Sequence, residues 1–538
     1  MSAGNMLENL SDNIVIDSNK CIFCGNCVDK CILDNLRMKQ ASCQQNCPLD
    51  LNCQGYVQLI SRGEEGKAME VVRERLPFPG ILGRVCSQPC EDGCGKQDTD
   101  KEAISIRALK RYLDDQFKDQ EPPLPKIKAD SGKKVAVIGS GPAGLIAAYD
   151  LALQGHLVTI YDRESAPGGM LRWSIPTFRL PQDVVERELK ILERMGVVFQ
   201  CDVRIGKDKT LSELRNDFDA VLIAVGLPGS LKLNIEGEDR PGVLHGLPFL
   251  KSVRDNAQPE VGKKVVVIGG GNVAVDVAQT AYRLGAESVK LVCLESRDNM
   301  PAFNKAILEA IADEVDMECS LGNPELVFEA DRLKGASFQA CTAVFDGSGQ
   351  FNPQFDEGLT KFIEADTIIV SIGQQMDASL SGSKDLQLDS LTTVDPVTFQ
   401  TSIDKFFAAG DFVSGPSSIV SAMGAGKAAA ESINRFLAGI PLAYGRSASA
   451  AVQTEFEVDR SFGSPDRRMD LPHYQFRGKD DFNEIETGVI REAARREAKR
   501  CHSCGIPFGR YRTCWFCLPC EVECPTGALW VDIPYLLR

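Results

Sequence analysis

A chain of 538 residues, 43% hydrophobic and 25% charged, has room for three to four domains of about 100–200 residues each and the composition of a soluble globular protein. Its net charge of −15 repels phosphate backbones and sets nucleic acid aside as a partner. No stretch reaches the roughly 18 uninterrupted apolar residues of a spanning helix. The opening MSAGNMLENLSDN lacks the basic start and apolar core of a signal peptide, so a cytoplasmic protein without membrane insertion is expected. Sixteen of the 20 cysteines lie in two terminal regions. With no sign of export, their dense C-x2-C spacing points to metal rather than to disulfides.

Residues 1–40 hold CIFCGNCVDKC, in which Cys21, Cys24, Cys27 and Cys31 follow C-x2-C-x2-C-x3-C; this reads as a ferredoxin-like cluster module. Residues 41–120 show helical apolar spacing in LNCQGYVQLISRGEEGKAMEVVRERLP and AISIRALKRYLDDQF. They form an expected helical iron–sulfur domain with Cys43, Cys47, Cys53, Cys86, Cys90 and Cys94. Residues 121–132 are a linker rich in Pro and Lys.

Residues 133–254 open with KKVAVIGSGPAGLIAAYDLALQGHLVTIYDRE, a strand, a Gly-rich turn, a helix and a second strand. Gly139, Gly141 and Gly144 fill the G-x-G-x-x-G positions around Pro142 and Ala143. The first makes the tight turn, the second admits a pyrophosphate at the helix N-terminus, and the third lets helix and strand pack. Asp162 ends the next strand, where a carboxylate takes ribose hydroxyls, and Arg163 follows it.

Residues 255–375 carry a parallel unit, KKVVVIGGGNVAVDVAQTAYRLGAESVKLVCLES. Gly269, Gly271 and Ala274 fill the same three positions around Asn272 and Val273. Glu295 falls near the ribose 2′ position, which favours NAD(H) over NADP(H), while Arg297 offers a guanidinium that a 2′-phosphate could take. Residues 376–442 return to the first unit through KFFAAGDF. The fold class is therefore α/β, with two nested Rossmann-like domains: a flavin domain and an inserted nicotinamide domain. Residues 443–490 are polar and without periodicity and are expected to wrap the surface. Residues 491–538 run from a helix into Cys501 and Cys504, then Cys514, Cys517, Cys520, Cys524 and Pro525, a full C-x2-C-x2-C-x3-C-P run. Zinc is the rival for such pairs, but triple C-x2-C spacing around a flavin suits electron transfer. Sixteen thiolates fill at most four 4Fe–4S cubanes, so three or four clusters are expected; the grouping stays open, because the fourth Cys of a run can serve the neighbouring cluster. Cys201, Cys293, Cys319 and Cys341 stand alone and read as small buried apolar residues.

Four segments closely resemble the glutamate-synthase small-subunit family of flavin oxidoreductases: GGMLRWSIPTFRLP (168–181), DAVLIAVG (219–226), ADTIIVSIGQ (365–374) and FFAAGDFVSGPSSIVSAMGAGKAA (406–429). The resemblance runs from about residue 41 to 440 and implies FAD at the first glycine turn. It implies that Gly169, Met170 and Leu171 lie along the flavin, that Gly410 and Asp411 meet its ribityl and phosphate end, and that the helix from Ser418 points its N-terminus at the ring. The family's Tyr-Gly is Trp173-Ser174 here, and its Arg-Arg at the NADPH phosphate is Leu294-Glu295. CHSCG at Cys501 and Cys504 looks like a displaced piece of the family's helical cluster domain.

The resemblance implies electron transfer between NAD(P)H and iron–sulfur clusters through FAD. The implied acceptors are ferredoxin or redox subunits of a hetero-oligomeric complex, of the kind that includes electron-bifurcating ones. No side chain receives a catalytic role, since hydride transfer between stacked cofactors rests on geometry and electrostatics. Two alternatives are a wiring subunit with an idle nicotinamide site and a disulfide reductase using Cys501 and Cys504.

Overall fold

The computed structural model describes residues 13–17, 20–22, 27, 30–31, 37–39, 41–255, 257, 259–377, 393–443, 446, 463–474, 476–504, 506–508, 514 and 516–533. Cys24 lies outside them.

KVAVI and its partners are continuous apolar runs, as strands buried on both faces must be. Strand Lys134–Ile138 is the centre of a parallel five-stranded sheet in the order 406–408, 220–223, 134–138, 157–161, 198–200. Helices Pro142–Leu153 and Ile419–Ala438 pack closely on each other because Gly426 has no side chain; a Cβ there would run into the Ala143 carbonyl.

A second parallel sheet runs 315–318, 288–292, 264–268, 367–370, 243–245. It starts earlier than the expected boundary at 255. Strand Val243–His245 pairs with Thr367–Val370, and helix Gly246–Arg254 follows it into the same unit. Strands Leu321–Glu329, Arg332–Phe345 and Phe351–Glu364 add an antiparallel sheet beside it.

Helices Cys53–Arg62, Glu65–Arg73, Pro79–Val85 and Ile106–Phe117 enclose Tyr56, Phe78 and Tyr112, all fully buried. Glu188, on helix Gln182–Arg194 of the flavin unit, accepts from the N–H groups of Gly80 and Ile81 at 2.7 and 2.8 Å. It thereby caps Pro79–Val85 and ties the helical domain to the first sheet. Helix Arg491–Lys499, from the far end of the chain, belongs to this helical domain. Arg495 pairs with Glu65 at 2.9 Å, and Glu497 accepts from the N–H of Ser105 at 2.9 Å.

The two chain ends also meet. Strand Ile14–Ile16 pairs antiparallel with Leu529–Val531, and Arg37–Lys39 with Ile506–Phe508. Among the described residues no helix is long and apolar enough to cross a membrane.

Candidate active site and cluster ligands

A cavity of about 1660 Å³ runs between the two sheets and the helical domain. A pocket for one drug-sized ligand is roughly 300–1,000 Å³, so this one has room for two dinucleotides. Its first wall is the glycine turn after Lys134–Ile138. Gly139 has φ +100°, and a Cβ there would meet the Ala224 carbonyl. Gly141 faces open space, and a Cβ placed on it would have no neighbour within 4 Å; this is the opening a pyrophosphate needs at the N-terminus of helix Pro142–Leu153. Asp162 fastens the turn. Its Oδ2 accepts from the N–H of Ser140 at 2.7 Å and from the Ser140 hydroxyl, and its Oδ1 from the N–H of Glu164 at 2.9 Å. A carboxylate has about four acceptor positions, which leaves capacity for ribose hydroxyls.

Gly169, at φ +52°, lies where a Cβ would sit 2.6 Å from Gly141 Cα, so the GGML segment rests directly on the turn. Met170, Gly410, Asp411 and Ser418 share the cavity wall with Pro142, Ala143 and Arg163. Burial pushes the Asp411 carboxyl up, and the Ser417 hydroxyl, donating at 2.6 Å, opposes it. Ser418 caps helix Ile419–Ala438 by accepting from the N–H of Ser421 at 3.2 Å. The positive end of that helix therefore opens on the cavity, where it would stabilise a reduced flavin. Gly144 and Leu171 are buried behind the wall.

The second wall is the turn after Lys264–Ile268. Gly271, Asn272, Val273 and Glu295 line it; Gly269 and Ala274 stand behind. Glu295 Oε2 lies 2.8 Å from where a Cβ on Gly270 would be, so the carboxylate overhangs the turn. Arg297 is off the wall, in the short turn Arg297–Asn299, 3.5 Å from Asn304. Arg179, from the TFRLP segment of the first unit, clasps the second: it donates to Asp276, to Glu309 at 2.8 Å and to Gln279 at 2.6 Å.

The third wall comes from the helical domain and from residues 484–486, part of the stretch expected to wrap the surface. Arg84 and Arg111 pair with Glu484, each at 2.9 Å. Arg107 donates to both oxygens of Glu486 at 2.9 and 2.6 Å, and Lys305 of the nicotinamide unit pairs with Glu486 as well. Sequence reasoning missed these residues, because ion pairs 379 positions apart leave no local pattern; the glutamates in EIET were the one available signal. Cys86 lies on this wall too, and it is the one cysteine that lines the cavity among the described residues.

The thiols gather in sets. Cys43, Cys53, Cys94, Cys501 and Cys504 surround a small second cavity. Burial first, then the neighbouring Cys43 and Cys94, push the Cys501 thiol up to about 12 and Cys504 higher still. Cys53 also meets Cys47 and Cys90, and Cys86 stands beside Cys90 and Cys47. Cys31 acts on Cys520 together with Cys514 and Cys517, while Cys27 and Cys524 pack on the same small core. Among the described residues no three His, Cys, Asp or Glu side chains close on a single ion. Sets of several thiols drawn together from distant segments suit a positively charged core larger than one ion, and four iron corners meet that description.

Residues 133–426 match the family model described as pyridine nucleotide-disulphide oxidoreductase. The Azospirillum brasilense glutamate synthase NADPH small chain is 32% identical over 413 residues, 73% of this chain and 86% of that protein. The chain belongs to this family. It is a flavin-dependent pyridine-nucleotide oxidoreductase, and residues 5–122 match a model described as "Dihydroprymidine dehydrogenase domain II, 4Fe-4S cluster". The NADP(+)-dependent formate dehydrogenase subunit beta of Moorella thermoacetica is 35% identical over 509 residues, 86% of this chain and 70% of that one. The NADPH-Fe(3+) oxidoreductase subunit beta of Geobacter sulfurreducens is 32% identical over 86% of this chain and 75% of that one. The structure of Mycobacterium tuberculosis FprA in complex with NADPH superposes with a TM-score of 0.50 at 19% identity, covering 57% of this chain and 85% of that one, and shares the fold.

Proposed function

We propose that this chain is the NADH-oxidising flavin subunit of a larger cytoplasmic redox complex, delivering electrons through four 4Fe–4S clusters to ferredoxin or a partner subunit. One observation carries the reading: Cys86 lines the same cavity as both glycine turns. FAD bound there converts a two-electron donor into single electrons that clusters accept. The chain's own residues do the rest. Gly141 and Gly271 leave space for the two pyrophosphates, Asp162 and Glu295 orient ribose hydroxyls, and Ser418 caps the helix whose positive end faces the flavin.

The thiol sets support three groups of ligands, Cys47, Cys53, Cys86 and Cys90 beside the cavity, Cys43, Cys94, Cys501 and Cys504 behind them, and Cys31 with Cys514, Cys517 and Cys520; Cys27 packs on the same small core as Cys524, and the C-x2-C-x2-C spacing alone adds Cys21 and Cys24 to them as a fourth group. The last two groups exchange their fourth cysteine, as paired ferredoxin clusters do. The relatives above carry NADPH or NADP(+) in their names. Here Leu294-Glu295 stands where the family's Arg-Arg would hold the 2′-phosphate, and this favours NADH.

Dye reduction by the isolated chain tests the proposal. Turnover with NADH at a higher kcat/KM than with NADPH is expected. Preference for NADPH overturns the nucleotide choice, and no turnover with FAD bound favours an idle nicotinamide site. The disulfide-reductase reading loses support because Cys501 and Cys504 lie on the second cavity and off the first.

A further inference from the structure

Gln54 is the second residue of helix Cys53–Arg62 and is 2% exposed. It lines the second cavity beside Cys43, Cys94, Cys501 and Cys504. Its Nε2 donates to the Ser503 hydroxyl at 2.7 Å, and Ser503 stands off that cavity. The other end of the amide, Oε1, is buried and has no hydrogen-bond partner among the described residues. Buried side-chain amides are normally paired at both ends. An orphan end on a wall of thiols therefore calls for a partner inside the cavity. Holding the CHSCG segment in place does not account for it. Gln58, one turn further along the helix, already reaches the Cys501 carbonyl at 3.5 Å.

We propose that Gln54 donates a hydrogen bond to the cluster held by Cys43, Cys94, Cys501 and Cys504, and that this bond raises the potential of that cluster. The inference deepens the ligand grouping above and rests on it. A hydroxyl donates as readily as it accepts, so the bond to Ser503 holds with either end of the amide. The sulfurs of a cluster only accept. A cluster in the cavity therefore selects the orientation in which the amide oxygen accepts from the Ser503 hydroxyl and the NH2 group is left to donate to sulfur. An all-thiolate cubane is an anion and gains a further negative charge on reduction, and hydrogen bonds to its sulfurs favour the reduced form. The N–H of Ser503, which donates to Cys501 Sγ at 3.4 Å, is a backbone donor of the same kind. Lys96 lines the cavity as well and donates to the Ser464 carbonyl at 3.2 Å; its charge is the same in every variant below. Gln54 tunes the cluster and binds no iron.

The test is a redox titration of the full chain with its clusters loaded, followed by EPR. Gln54→Met removes the donor and keeps the length of the side chain. Ser503→Ala removes the partner behind the amide and keeps both the NH2 group and the backbone N–H. The expected result is unchanged iron in both variants, one cluster signal moved to lower potential in Gln54→Met, and that signal closer to its original potential in Ser503→Ala. Potentials unmoved in Gln54→Met overturn the proposal. An equal shift in Ser503→Ala overturns it too, because Gln54 would then act only by anchoring Ser503. Loss of about four irons in Gln54→Met also overturns it, since a donor to sulfur tunes a cluster without holding it. Cys501→Ser separates this from the reading beneath. If that variant loses no cluster signal, the ligand grouping fails and the role of Gln54 with it. If a signal is lost and Gln54→Met shifts nothing, Gln54 alone is wrong.

Discussion

Glu295 overhangs the second glycine turn, where a carboxylate accepts from a ribose diol and repels a 2′-phosphate. A guanidinium in its place would make charge-assisted bonds to that phosphate worth about 1.5–3 kcal/mol. Glu295→Arg is therefore expected to move the NADPH:NADH ratio of kcat/KM toward NADPH by roughly ten- to a hundredfold. An unchanged ratio would leave Glu295 without a part in nucleotide choice. Glu486 is the second residue with a defined charge role. Burial raises its pKa, but Arg107 and Lys305 outweigh that and bring it from 4.5 down to about 2. A carboxylate with a folded pKa below its unfolded one stabilises the fold fully above the unfolded value and loses that contribution as pH falls through the folded value. The depression corresponds to about 3 kcal/mol at neutral pH. Glu486→Gln should lower the thermal midpoint of the loaded protein by the same amount at roughly pH 6 and pH 8, both above the window. A gap that changes between those pH values would assign the effect to another group. Asp162 and the glycine fingerprints were legible from spacing alone, because a pyrophosphate dictates local geometry. Arg107, Lys305 and Glu486 were not, because their pairing joins three distant segments.

Helices Pro142–Leu153 and Ile419–Ala438 meet across Gly426 and Ala143, and both present their N-termini to the flavin cavity. Gly426→Val should force them apart, at about 1–3 kcal/mol for an overpacked contact, and release FAD during desalting. Full FAD retention with an unchanged unfolding midpoint would show that this contact does not set the position of the helix ends. The buried strands Lys134–Ile138 and Lys264–Ile268 were readable because both faces are covered and the apolar run is unbroken. The antiparallel sheet at 321–364 was not anticipated. One face of it is exposed, as in the alternating pattern of Leu321–Glu329, so its strands carry polar residues that resemble loop sequence. The edge strand Val243–His245 is too short to announce itself and was placed in the wrong unit.

At the scale of the whole molecule, the chain is closed on itself. The first described strand pairs with the last, and the helix before Cys501 packs in a domain built some 400 residues earlier. Double substitution Cys501→Ser/Cys504→Ser should remove about four irons from that domain and leave FAD bound. Retention of all iron would break the assignment of this pair to Cys43 and Cys94. The displaced look of CHSCG hinted at this closure; the partners of each thiol could not be read from spacing, since two runs that exchange their fourth cysteine look the same as two that do not. The central claim is one conduit from nicotinamide to four clusters. Anaerobic titration of the full chain with NADH, with EPR and with iron, sulfide and FAD analysis, tests it most directly. The account predicts about 16 irons and about 16 sulfides for one FAD, with cluster spin signals growing as the flavin bleaches. About eight irons or fewer, or a flavin bleached by NADH beside clusters that only dithionite reduces, would contradict it.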